Sequence, residues 1–190
     1  MTTRVVSPRL DRWRAVLAKR YGLRLVSMLA GRIEAHGVEV VFREFERSKG
    51  DLDGARVYMA RGLPVDEAVF LLCHLFGHTV QWHTDRNALD YASITAATFR
   101  ETDAVWVEEY ERKASRFGLS ILLGCDARFL RAWLSEFVEA DVRYLLALYR
   151  GDQNASHEQF WPDRVSVLNP IPIPAFRPCV IAQFVAGRVL

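Results

Sequence analysis

Lysine is scarce in this chain: it occurs only at Lys19, Lys49 and Lys113, although lysine and arginine together number 25. The positive charge lies on scattered arginines, the formal net charge is only +2, and no basic run forms. That pattern lacks the electrostatic footprint of a nucleic-acid-binding protein. Cysteine is equally sparse. Cys73, Cys125 and Cys179 are far apart, odd in number and form no CxxC pair. This argues against a disulfide framework and for a reducing compartment. Long apolar runs are missing as well. "VFLLC" and "YLLALY" fall far short of the roughly 20 residues that a membrane-spanning helix needs. The stretch "MTTRVVSPRLDRWRAV" shows no apolar core of a secretory signal. A cytoplasmic protein that neither spans a membrane nor grips nucleic acid is expected.

What is present suffices for one sizeable core: 51% of 190 residues are hydrophobic. One domain over residues 1–150 and a different segment over 151–190 are expected. In "SPRLDRWRAVLAKRYGL", Ser7 can cap a helix that Pro8 opens. Leu10, Trp13, Val16, Leu17 and Tyr21 then recur at helical spacing. "RLVSMLAGRIEAHG" reads as a second, short helix. "VEVVFREFE" (38–46) and "ARVYMARGL" (55–63) read as strands. With "SKGDLDG" as the turn between them, they predict a small, mostly antiparallel sheet.

Pro64 opens the most apolar helix, with Asp66 and Glu67 in its first turn, where the helix dipole favours acids. A further helix runs through "ETDAVWVEEYERKASRFGLSILLG" and closes at Gly124. Asp126 can cap a last one, with a break expected near Ser135. The tail holds four prolines between Pro170 and Pro178, which exclude a helix there and favour extended chain that packs on the domain or on a partner. Strands followed by helices give an α+β class.

The chemistry concentrates in "FLLCHLFGHTVQWH", positions 70–83. His74 and His78 are four residues apart, so their imidazoles leave one helix face together and can converge on one ion. A catalytic zinc site needs a third protein ligand, most often from a neighbouring helix. The acidic cluster "EEYE" supplies Glu108 and Glu111 on a shared face, while Glu109 points elsewhere. A histidine on an apolar helix is nevertheless more often a hydrogen-bonded core residue than a ligand. Cys73 diverges from His74 by about 100° on a helix and reads as core. His83 lies about 2.5 turns beyond His74 and points off the metal face. Trp82, Trp106, Trp133 and Trp161 read as core, and Arg112, Lys113 and Arg116 as solvated charges. Gly77 fits a close approach of the sheet or the downstream helix.

The order strand, strand ending "ARGLP", helix with "CHLFGH", helix with "ERKASRFGLSIL" resembles the ImmA/IrrE-like zinc metallopeptidase domain over roughly residues 10–125. That family has a zincin-like fold, an HExGH helix and a downstream E-x-x-A-(N/D)-x-F-A-x-x-L-L helix. The match on the second element falls at Glu111, Ala114, Phe117 and Leu122, with Ser115 and Gly118 as departures. The resemblance implies one Zn²⁺ held by His74, His78 and Glu111, with Glu108 as the substitute third ligand. It also makes a protein or peptide partner plausible, because family members often cleave or bind repressors and stress regulators.

Leu75 stands where the family has its general-base glutamate. Losing a general base typically costs about 10²- to 10⁴-fold in rate, while metal binding does not need that glutamate. The expectation is a metal-binding pseudopeptidase with a regulatory role, or an atypical metalloenzyme. An active peptidase or amidase with a displaced base is the alternative, with Glu67, Glu108, Glu109, Tyr110 and His83 as candidates. A metal-free interaction module is the third possibility.

Overall fold

The computed structural model describes residues 7–46 and 48–181. In chain order it contains α1 (Pro8–Arg20), α2 (Gly22–Glu34), β1 (Glu39–Arg43), β2 (Gly50–Leu52), β3 (Arg56–Ala60), α3 (Val65–Thr84), α4 (Ala88–Ala92), α5 (Ala104–Leu123) and α6 (Leu130–Tyr149). Two 3₁₀ turns, Glu101–Asp103 and His157–Phe160, complete it. The class is α+β.

Pro8 opens α1 as expected, although the Ser7 side chain makes no capping bond. Gly22 takes φ +51°, a left-handed conformation that glycine tolerates, and separates α1 from α2. The helix α2, expected to be short, is as long as α1 at 13 residues. It buries Leu25, Val26, Leu29 and Ile33, a spacing that places all four on one face.

The sheet differs from the expected hairpin. Its order is β1-β3-β2, with β1 parallel to β3 and β2 antiparallel to β3. The expected turn "SKGDLDG" itself contains strand β2. That strand reverses the chain once, and the tight turn to β3 reverses it again, so β3 returns parallel to β1 and between the other two. Asp53 builds the turn: its Oδ1 accepts from the amides of Ala55 at 2.9 Å and Arg56 at 2.7 Å. Gly54 follows at φ +92°. Val57 and Met59 alternate into the core, as half-buried strand residues do.

The core centres on α3, which is buried almost without interruption from Ala68 to Trp82. It crosses α5 with the two backbones nearly touching. A Cβ on Gly77 would meet Ala114 O at 1.9 Å, and one on Gly118 would meet Cys73 O at 2.3 Å. Both glycines are required by this approach. The expected break in α6 does not occur. Ser135 stays helical because its hydroxyl donates to Arg131 O (2.7 Å) and accepts from Leu168 N (2.9 Å). Asp126 caps no helix; it has φ +54°, and α6 starts later, at Leu130.

From 162 to 181 the chain has neither helix nor strand. It lies on the preceding elements through its backbone. Arg131 donates to Leu168 O (2.7 Å), Ser120 to Ile171 O (2.7 Å), and Ile181 N to Asp53 O (2.8 Å). Trp82, Trp133 and Trp161 are buried as expected. Trp106 is not: it is half exposed and stacks on Tyr91. Among the described residues, no helix is long and apolar enough to cross a membrane.

Candidate metal centre

The glycine contacts between α3 and α5 bring Glu111 opposite the two histidines of α3. His74 Nε2 and His78 Nε2 are 3.0 Å apart, and Glu111 Oε2 lies 3.2 Å from the first and 3.1 Å from the second. All three side chains are buried. These edges place the centre of the triangle about 1.8 Å from each atom, close to the roughly 2.0–2.2 Å of zinc bonds to imidazole and carboxylate.

The outer hydrogen bonds of the imidazoles set which nitrogen carries the proton. His78 Nδ1 is 2.9 Å from Gln81 Oε1, which can only accept, so Nδ1 donates. Gln81 is itself fixed, because its Nε2 donates to Tyr110 O at 2.8 Å. His74 Nδ1 faces the Ser115 hydroxyl at 3.4 Å. With protons on both Nδ1 atoms, two Nε2 lone pairs and a carboxylate oxygen converge on one point. Three acceptors that close are mutually repulsive unless a cation or a proton joins them. Burial alone would push the Glu111 carboxyl up; a proton on the facing His78 and His74 rings outweighs that and holds it well below the usual carboxylate range, so positive charge between the three groups, proton or cation, is what the pocket accommodates. The donor set, two imidazoles and one carboxylate, suits a catalytic-type zinc site.

The other candidates stand apart from this cluster. Glu108 is half exposed and pairs with Arg112 at 3.7 Å, so α5 presents Glu111 and not Glu108 to the histidines. Glu109 is exposed. Glu67 pairs with Lys49 at 2.7 Å. The Tyr110 hydroxyl accepts from Trp82 Nε1 at 2.8 Å. His83 bonds Thr79 O through Nδ1 (2.8 Å) and accepts the Cys179 amide through Nε2 (3.0 Å). Cys73 is fully buried, and burial pushes its thiol up. Arg112, Lys113 and Arg116 are not free solvated charges: they bond Glu139, Asp85 and Asn169 O. Leu75 is fully buried and turns toward β2, where its Cδ1 would lie 2.8 Å from a Cβ on Gly50.

Three further residues carry little sign in the sequence. Asp141 on α6 is buried, and burial pushes its carboxyl up to about 7; His74 opposes that rise and Glu111 adds to it. His157 Nε2 lies 4.0 Å from Asp141 Oδ1. Both line a cavity of about 450 Å³ that Phe70 and Phe137 also wall. Phe70 stacks on His74 with ring centroids 5.1 Å apart, which connects the cavity wall to the centre. The available signal is an acid inside the apolar helical run "FVEADVRYLL". Gln81 escapes it too, though its place three residues after His78 puts it on the same helix face.

Comparison with protein-family models, with curated proteins and with solved structures finds no match to this chain.

Proposed function

We propose that this chain holds one divalent cation, Zn²⁺ by the character of its donors, between α3 and α5, in the manner of an ImmA/IrrE-like domain. The observation that carries the reading is the convergence of His74 Nε2, His78 Nε2 and Glu111 Oε2 within 3.2 Å of one another. When bound, Zn²⁺ supplies Lewis acidity and lowers the pKa of a water in its open position. The chain's own part is to hold the ligands. Gln81 and Ser115 orient the imidazoles, and the glycine contacts set the distance between helices. Leu75 has neither donor nor acceptor, so the peptidase route that the resemblance implies lacks its usual proton acceptor. The protein is a metal-dependent regulatory pseudopeptidase or an atypical metalloenzyme, and its partner is a protein or peptide. The scattered unpaired cysteines support a cytoplasmic site of action.

Metal analysis of protein purified without chelators tests this. About one zinc per chain is expected, lost in His74→Ala and Glu111→Ala and kept in Glu108→Ala. Less than roughly a tenth of an equivalent in the wild type overturns the reading and favours a metal-free interaction module.

A further inference from the structure

We propose that the cavity between α1, α3, α6 and the 3₁₀ turn His157–Phe160 binds a small organic cation, a primary ammonium on an aromatic or apolar body, with Asp141 as its charge partner. The inference goes beyond the reading above and is independent of it, because His74, His78 and Glu111 line no part of this cavity.

Asp141 is the unmet charge of the cavity. Its side chain is only 9% exposed and belongs to the lining, so what is exposed faces the cavity. Among the described residues, no hydrogen bond reaches its carboxylate and no arginine or lysine pairs with it. The cations of the rim are engaged elsewhere: Arg14 by Asp66 and Glu158, Lys49 by Glu67. A buried carboxylate without a counter-charge is costly, and a cation arriving from outside relieves that cost. Burial pushes the carboxyl up to about 7, so near neutrality its proton is loosely held and readily exchanged for another cation.

His157 faces Asp141 without neutralising it. Its ring donates to the Phe137 carbonyl, and its buried Nε2, 4.0 Å from Asp141 Oδ1, has no hydrogen-bond partner. With the proton on Nδ1, Nε2 carries a lone pair. Burial lowers the imidazole to about 4, which keeps it uncharged. Carboxylate and lone pair are both acceptors. The end of the cavity that they form selects a donor and rejects an anion.

A bare metal ion fits this end poorly. Among the described residues, the one group of three ligand atoms near enough to share an ion is that of His74, His78 and Glu111. The walls favour an organic cation instead. Phe70 and Phe137 stack with centroids 4.0 Å apart, and the His157 ring lies against Phe137 at 4.5 Å. Tyr144 adds a further ring to the lining. The faces of phenyl and phenol rings attract an ammonium, and the same apolar surfaces take the body that carries it. The cavity volume of about 450 Å³ lies within the roughly 300–1,000 Å³ of small-molecule sites.

Titration calorimetry with phenethylamine at about pH 8, where an alkylamine is protonated and Asp141 is mostly ionised, tests this. Saturable binding by the wild type is expected. Phenethyl alcohol, of the same shape without the charge, and hydrocinnamate, of opposite charge, should each bind at least about tenfold more weakly, as the loss of a charge-assisted hydrogen bond requires. Asp141→Asn, which keeps the volume and removes the charge, should weaken the amine by a similar factor. Carboxyl-carbon NMR of aspartate-labelled wild type places the site without any variant: the Asp141 resonance should shift most among the aspartates as phenethylamine is added. No saturable binding of the amine, equal binding of phenethyl alcohol, undiminished binding in a folded Asp141→Asn protein, or an Asp141 resonance that stays fixed overturns the inference. None of these results bears on the cation site between α3 and α5, which metal analysis tests separately.

Discussion

Gly77 faces the Ala114 carbonyl so closely that a single methyl on it would lie 1.9 Å from the oxygen. The contact is backbone on backbone, so no flexible side chain can move aside. Gly77 is flanked in the same turn by His78, and Ala114 lies one turn beyond Glu111. The spacing that forbids a methyl is thus also the spacing that brings the carboxylate to the imidazoles. Gly77→Ala must separate α3 from α5. We expect it to destabilise the protein by at least the roughly 1–3 kcal/mol typical of overpacking and to reduce zinc content. Denaturant unfolding and metal analysis on the same preparation check both effects. Gly118→Ala should behave alike, because its methyl would meet Cys73 O at 2.3 Å.

Gln81 is fully buried and holds two elements at once, His78 through its carbonyl and Tyr110 O through its amide. Gln81→Leu preserves much of the volume but leaves one buried donor, His78 Nδ1–H, unpaired, while Tyr110 O keeps its place inside the α5 ladder. A stability loss of about 1–3 kcal/mol is expected. The effect on the metal is separate. Without its partner, His78 Nδ1 no longer keeps the proton there, and Nε2 is less often a lone pair. Zinc affinity should fall about 10- to 100-fold, as competition with a chromophoric chelator would measure.

Helix identity is legible in the sequence because α3 and α5 carry strong signals: Pro64 and Asp66 at one start, Gly124 at one end, and apolar periodicity between. The pairing of Glu111 with His74 and His78 is legible through spacing and resemblance together. Strand direction is not. The stretch "GDL" is too short and too polar to announce β2, yet its presence turns an apparent hairpin into a parallel pair of β1 and β3. Ser135 misleads in another way. Serine often marks a helix boundary because it competes for backbone bonds, but here its hydroxyl serves the 162–181 segment through Leu168 N. Trp106 lies outside the expected core because aromatic content alone does not say which helix face is buried. Asp141 is barely visible: its one sign is the apolar run "FVEADVRYLL", which also holds Glu139 and does not say which of the two acids is the more buried.

Asp141 makes a pH prediction whose sign follows from its environment. Its folded-state carboxyl is pushed up to about 7, above the roughly 3.9 of an unfolded chain. The folded protein therefore holds this proton where the unfolded chain has released it. The favourable contribution is complete below about pH 4 and is lost progressively as pH rises toward 7. In the metal-free protein, Asp141→Asn removes this dependence. The variant should gain stability over the wild type as pH rises from 5 to 8, by at most about 1.4 kcal/mol per pH unit within the window. Urea midpoints across that range measure the difference, and parallel curves for the two proteins would contradict it.

Leu75 and the histidines share a helix but serve different neighbours. His74 and His78 turn toward α5, whereas Leu75 turns toward Gly50 and Leu71 beneath β2, with no exposure to solvent. Restoring a glutamate at this position is the obvious way to ask whether a peptidase lies dormant here. The packing answers against it. The Leu75→Glu substitution would leave an ionised carboxylate in an apolar interior without a cation, or would force it to protonate. We expect Leu75→Glu to cost more stability than Leu75→Ala, itself about 2–5 kcal/mol from the cavity it leaves. We also expect Leu75→Glu to confer no zinc-dependent proteolysis beyond that of the wild type. Unfolding curves for the two variants and a peptide-cleavage assay decide the matter. New proteolysis in a well-folded Leu75→Glu protein would mean that the side chain can swing from β2 to the centre, and that a single substitution is all that separates this chain from a conventional HExxH enzyme.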